Sequence, residues 1–170
     1  DPWQAALWSP ADLAAMQAEL SRARQSLDTP ILPDGQDPER FDRRLQRLEE
    51  TFSLTTAFLL YQWAAWDFQT IDFASLSIAQ IEPAVHQARE LLRLRKALIA
   101  TRDTVTAGTP GTAYLSDLAW VFRYDSIGGK LAALALQAGP ASPHQATIRS
   151  LLKEWAELAC FEIPSVAISS

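Results

Sequence analysis

The sequence has little or none of several residue types and patterns, and each of these absences excludes a kind of structure or partner. A single cysteine, Cys160, rules out an internal disulfide bond. No apolar run reaches the ~20 residues that a transmembrane helix needs, so we predict no membrane span. The chain has no signal peptide and no initiator methionine, and it begins Asp1-Pro2-Trp3. We therefore expect a processed chain or a piece of a larger protein, cytoplasmic by its cysteine usage, with a periplasmic location left open.

Positive charge is also scarce. The 170 residues carry 15 Lys and Arg against 20 Asp and Glu, which gives a net charge of −5. Affinity for nucleic acid comes largely from cations that neutralise phosphates, so we predict no nucleic-acid partner. Arginine outnumbers lysine twelve to three, which indicates a GC-rich bacterial source.

What the sequence does contain is typical of one helical domain. Apolar residues make up 48% and charged residues 21% of the chain, and this composition favours a globular fold over disorder. The length fits a single domain with a real core. Apolar residues recur with the helical period along most of the chain, and no two strand patterns form a pair. We predict a single all-α domain over residues 1–170, a bundle of five or six helices.

Prolines mark the starts of the first two predicted helices. Ser9-Pro10 and Asp37-Pro38 each place a capping residue before a proline at the first helical position. The periodicity then predicts helices over about 10–27 and 38–69, separated by a loop. Their predicted core stripes are Leu13, Met16, Leu20, Ala23 and Leu27 in the first helix, and Phe41, Leu45, Leu48, Phe52, Leu59, Trp63 and Trp66 in the second.

A third helix is predicted over about 77–106. Ser77 and Gln80 match a capping box at its start, and Pro83 either kinks it or marks its true start. The connection over 70–76 is short, so we expect the second and third helices to be antiparallel at the centre of the bundle. The predicted core stripe of the third helix is Ile78, Ile81, Val85, Ala88, Leu92, Leu98, Ile99 and Val105.

Shorter helices complete the predicted bundle. One is predicted over 112–123, and another ends near 137 after a break over 124–129, where Gly128-Gly129 is interpreted as a hinge or turn. Ser142-Pro143 is predicted to cap the last helix. Residues 1–9 are interpreted as an N-terminal arm and residues 163–170 as a C-terminal tail. The predicted inner face of the last helix consists of Ile148, Leu151, Leu152, Trp155 and Leu158.

Aromatic residues are concentrated in the second predicted helix and just after it. Residues 52–73 hold seven of the chain's sixteen aromatics, and their apolar neighbours do not stay on one stripe. A helix that is apolar all round is either central in a packed protein or covered by something else. Pure core, a partner surface and an apolar ligand pocket are the three interpretations. We expect a partner-facing surface formed by Trp3, Trp8, Phe58, Tyr61, Trp66 and Phe68.

Cationic residues form a stripe along one face of the second predicted helix and another along the third. Within each stripe the residues are three or four positions apart. Residues 86–102 alone hold five Lys or Arg against one Glu, and Arg95 and Arg102 lie on a neighbouring face. Adjacent stripes would form a shallow pocket for acidic ligands. The alternative is that they are solvated faces with local acidic partners such as Asp42. We assign the stripes as the basic rim of the partner-facing surface. The rim residues are Arg40, Arg43, Arg44, Arg47, Arg89, Arg93 and Lys96.

The sequence offers few candidate residues for catalysis or for metal binding. Glu82, His86 and Glu90 share one helical face, but structural zinc usually needs four protein ligands and catalytic zinc three, so no metal is assigned. Cys160 and His144 lie sixteen residues apart on one predicted helix, about 24 Å, which is too far for a thiolate–imidazole pair. No cofactor is assigned and no catalytic residue is named.

These observations favour a non-enzymatic helical module that binds another protein. An adaptor, a chaperone and an immunity-type domain, alone or as part of a larger protein, all fit that description. One alternative is a helical bundle that binds an apolar small molecule between helices. The other is an enzyme whose carboxylates converge only in the fold, drawn from Asp67, Asp72, Glu82, Asp117 and Asp125.

Overall fold

The computed structural model describes residues 8–28, 37–107 and 126–162. Within these ranges the chain is helical and contains no strand, so the predicted all-α bundle is confirmed. The predicted helix over 112–123 and most of the predicted arm and tail lie outside the described residues. The helices are α1 (Pro10–Asp28), α2 (Pro38–Gln69), α3 (Ile78–Ala107), α4 (Ile127–Ala138) and α5 (Gln145–Glu162), with a 3-10 turn at Phe73–Ser75.

The first two helices begin where their capping residues predict. The Ser9 hydroxyl and backbone N–H both donate to Asp12 Oδ2, at 2.6 and 2.8 Å. These bonds hold the pKa of the Asp12 carboxyl below its ordinary value. Asp37 caps α2 by accepting from the backbone N–H of Glu39 at 3.0 Å, with Pro38 at the first helical position. Each start therefore satisfies donors that the first helical turn leaves without backbone partners.

The third helix includes Pro83 rather than starting at it. Gln80 Oε1 accepts from the Ser77 backbone N–H at 2.9 Å, which is the reaching-back half of a capping box. The interpretation of Gly128-Gly129 as a hinge is wrong, because both glycines lie in the first turn of α4. Gly139, with φ of 72°, ends α4 in a conformation that favours glycine.

Helices α2 and α3 pack against each other and supply much of the main core. The chain reverses between them over residues 70–77, and Tyr61 on α2 meets Arg95 on α3, so the two helices run in opposite directions. Helix α4 is tied to the connection between them, because Lys130 Nζ donates to the Ile71 carbonyl at 3.2 Å. The Gln137 side chain likewise donates to the Leu76 carbonyl at 2.9 Å. Helix α5 adds Ile148, Leu151 and Trp155 to the same core.

Helix α1 packs on the other side of α2 and belongs to a second, smaller cluster. Leu13 joins Phe52 and Leu59 there, with Leu20, Phe58 and Trp63 partly buried around them. Near the end of α1, the Arg24 guanidinium pairs with Asp42 and Glu49 of α2. Because Leu13 meets the second half of α2 while Arg24 meets the first half, α1 runs antiparallel to α2.

The predicted core stripes are correct at most positions and wrong at five. Leu45, Phe52, Leu59 and most of the α3 stripe are buried, as predicted. Leu48 is exposed although it lies between the buried Leu45 and Phe52, so helical spacing alone does not decide burial. The exposed members of predicted stripes are Met16 (38%), Phe41 (38%), Leu48 (59%), Trp66 (61%) and Ile78 (90%).

Candidate functional site

The predicted aromatic surface divides into core and exposed members. Tyr61 and Phe68 are each 1% exposed, so their assignment to a partner surface is wrong. The Tyr61 hydroxyl meets Arg95 of α3, and the Phe68 ring lies 5.1 Å from the Phe73 ring in the 3-10 turn. Phe58 is half-buried between the two clusters. Trp3 lies outside the described residues.

The exposed members lie together at one end of the α1–α2 pair. Trp66 is 61% and Trp8 38% exposed. Trp63, one turn before Trp66 on the same face, is partly buried against the Leu13 and Leu59 cluster. Trp8 precedes Leu13 by five residues, so the antiparallel packing of α1 places it at the same end. We call Trp8, Trp63 and Trp66 the tryptophan end.

The cationic stripe of α2 does not rim this surface. Arg40, Arg43, Arg44 and Arg47 are exposed, and Arg43 pairs locally with Asp37 and Glu39. Nineteen residues separate Arg47 from Trp66, about 29 Å along the helix axis. The prediction that the start of α2 supplies a rim for the aromatic surface is therefore wrong.

The cationic stripe of α3 lines a groove of its own. Arg89, Arg93 and Lys96 face Thr147, Ser150 and Glu154 of α5 across a groove of about 410 Å³, which we call the α3–α5 groove. Arg43 lies near the start of α2, whereas Arg93 of the α3 stripe borders a groove beside Thr56 and Leu60, so the two stripes are separated along α2. The two stripes do not form the single pocket that adjacency would give.

Carboxylates already occupy part of the α3–α5 groove and its edge. Lys96 Nζ donates to Glu154 Oε2 at 2.6 Å, and Arg93 donates to both Glu90 oxygens at 2.8 and 2.6 Å. These bonds lower the pKa of Glu154 and the pKa of Glu90 below their ordinary values. Arg89 differs, because its contact across the groove is the Thr147 hydroxyl at 3.4 Å.

Arg95 is a buried cation. The prediction that it lies on a cationic face of α3 is therefore wrong. Its side chain is 1% exposed, with the guanidinium carbon 4.2 Å above the centre of the Trp155 ring. One guanidinium nitrogen donates to the Tyr61 hydroxyl at 3.5 Å. The available signal was its register, because Arg95 continues the core stripe that runs through Leu91 and Leu98.

The carboxylates named for an enzymatic alternative do not converge in the part of the chain that the structure describes. Asp67 and Glu82 are exposed, and Asp72 caps the 3-10 turn by accepting from the Ala74 N–H at 3.2 Å. Asp117 and Asp125 lie outside the described residues. Among described residues, no group of three or more His, Cys, Asp or Glu side chains is placed to hold a metal ion. His86 lies 3.9 Å from Glu82 on an exposed face.

A second groove bears on the ligand-binding alternative. It holds about 310 Å³ between α1, α2 and α3, and Leu60, Thr56 and Leu94 are among the residues that line it. It lies on the surface between helices rather than inside the core.

None of the described helices is both long enough and apolar enough to span a bilayer.

Comparisons with protein-family models, with curated proteins and with solved structures give no match for this chain.

Proposed function

We propose that this protein is a non-enzymatic helical module that binds another protein through its tryptophan end. The observation that carries the proposal is Trp66, which leaves 61% of its surface exposed although Ala65 and Phe68 in the same turn are buried. Exposed apolar side chains that share one surface are typical of a protein-interaction site, whereas scattered single ones are not. Tryptophan is also among the residues most enriched at the energetic centre of interfaces.

The surroundings of Trp66 support this role. Trp63 anchors the same face to the Leu13 and Leu59 cluster, so the exposed ring projects from a packed helix rather than from a loop. Trp8 adds a second exposed ring at the same end. A rigid anchor loses little conformational entropy on binding, which favours affinity. Adaptor, chaperone and immunity-type roles are all compatible with such a surface.

The test is a pair of surface variants. The unmodified protein is used to capture partners from a lysate of the source cells, and the captured protein is then purified and titrated with the unmodified protein and with the Trp66→Ala and Leu136→Ala variants. Leu136 is the control, because it is 84% exposed on α4. We expect Trp66→Ala to raise the dissociation constant about 30-fold, a loss of ~2 kcal/mol of binding free energy, and to leave the melting temperature unchanged.

The controls decide between surface and core. Leu136→Ala should leave both the dissociation constant and the melting temperature as they are. If Trp66→Ala binds the purified partner as tightly as the unmodified protein, the tryptophan end is not the interface. A drop in melting temperature with Trp66→Ala would assign the ring to the packed structure instead.

A further inference from the structure

We propose that the α3–α5 groove is a second binding site, one that takes a carboxylate-rich peptide segment of a protein partner. The inference rests on the proposed function, because its occupant is part of a protein. It uses a different surface and different chemistry from the tryptophan end. Charge complementarity carries it, on a chain whose net charge is negative.

The cations of the groove are positioned for a chain of carboxylates. Arg89, Arg93 and Lys96 follow one another at intervals of four and three residues, so they form a row of about 10 Å along α3. Thr147 and Ser150 on the opposite wall add hydroxyl groups that donate or accept hydrogen bonds. Arginine binds carboxylates with two parallel N–H donors, which suits acidic side chains in particular.

The molecule's own carboxylates show that the groove accepts such groups. Glu154 bonds Lys96 at 2.6 Å from the α5 side, and Glu90 takes both donors of Arg93 at the edge. Arg89, by contrast, has no carboxylate within ion-pair distance among the described residues. An incoming carboxylate therefore meets no competing carboxylate at Arg89 among the described residues, and it must compete with Glu90 at Arg93 and with Glu154 at Lys96.

The floor of the groove and the net charge of the chain argue against other occupants. Leu92 and Leu151 are 5% and 6% exposed, so the floor offers little apolar surface to a lipid chain or an apolar helix. A long polyanion such as nucleic acid would meet the net charge of −5 over the rest of the surface.

The experiment uses a defined probe with the full chain. A fluorescein-labelled peptide of about ten residues, alternating glutamate and alanine, is titrated by fluorescence anisotropy against a matched peptide with glutamine in place of glutamate. We expect the glutamate peptide to bind and the glutamine peptide not to bind. Affinity should fall as salt rises, because exposed charges are screened over ~10 Å at 0.1 M.

Three variants locate the site. Arg89→Gln should weaken binding of the glutamate peptide about tenfold, since it removes a charge-assisted pair. Glu154→Gln should tighten binding severalfold, because it removes the competing carboxylate and frees Lys96. Arg43→Gln, a change of equal charge at the far end of α2, should leave binding unchanged.

Each contrary result overturns the proposal. Equal losses with Arg43→Gln and Arg89→Gln would mean a diffuse response to net charge. Weaker binding with Glu154→Gln would mean that Glu154 does not compete with the peptide. Binding to phosphatidylserine vesicles without binding to the glutamate peptide would assign the cations to a membrane surface. Trp66→Ala should not alter peptide binding, so failure of the tryptophan interface and failure of the groove are distinguishable.

Discussion

Helices α1 and α5 flank the same pair of long helices but are held by different means. Helix α5 buries Ile148, Leu151 and Trp155 in the main core, and Trp155 also stacks on the buried guanidinium of Arg95. Among its described side chains, helix α1 has one buried apolar residue, Leu13, and Arg24 makes a pair of ion contacts at its other end. One helix is integrated into the core and the other lies along its edge.

The difference shows that an amphipathic pattern in a helix does not by itself determine how much of its apolar face is buried. Both helices present apolar residues at helical spacing, yet only α5 is opposite a surface large enough to cover them. The Arg24 contacts do little to compensate, because the Arg24 side chain is 38% exposed and water screens such a pair. Local opening in native proteins begins where buried apolar contacts are few, so α1 should open before α5.

The largest expected effect tests the integration of α5. Trp155→Ala should lower the free energy of unfolding by about 3–5 kcal/mol, because it opens a cavity and removes the ring against which Arg95 is buried. Urea denaturation followed by circular dichroism measures the change. Trp66→Ala is the matched control and should cost less than about 0.5 kcal/mol at its exposed position. Equal costs for the two tryptophans would mean that α5 is no more deeply packed than the end of α2.

A smaller effect is expected for the edge helix. Leu13→Ala should cost about 2 kcal/mol, near the low end for leucine truncation, because the small cluster around it can partly relax. Hydrogen exchange should show faster opening across α1 and little change in α5. Met16→Ala, at a position 38% exposed on the same helix, provides the control. If Leu13→Ala speeds exchange equally in α1 and α5, the two helices open as one unit.

The smallest effect concerns pH and the ion pair that joins α5 to α3. The hydrogen bond from Lys96 lowers the pKa of Glu154 in the folded protein. The pair therefore stabilises the fold above the unfolded pKa of about 4.3, and that contribution is lost as pH falls through the lower folded value. A carboxyl NMR titration should show Glu154 titrating below its ordinary range, and Lys96→Gln should move the midpoint upward. An unchanged midpoint in that variant would remove Lys96 as the cause.

Part of the candidate site was predictable, and the rest depended on contacts between helices. Trp8 and Trp66 were predicted to face a partner and are exposed, although the helical period also counted Trp66 in the core stripe of α2. Tyr61 and Phe68 were placed there too, since a single helix does not show which of its several apolar faces meets α3. The groove-lining role of Arg89, Arg93 and Lys96 depended on α5, whose position beside α3 is not encoded in either helix alone.

By itself the sequence determined the helical class, the helix starts at Ser9, Asp37 and Ser77, and the buried centre of α2 and α3. These features follow from side-chain hydrogen bonds within a few residues and from the helical period, both of which are local. The tertiary structure decided which apolar residues remain exposed and that Arg95 is a core residue. It also decided which cationic stripe faces a groove. Those outcomes depend on which helix covers which face, and burial is a property of packed pairs rather than of single segments.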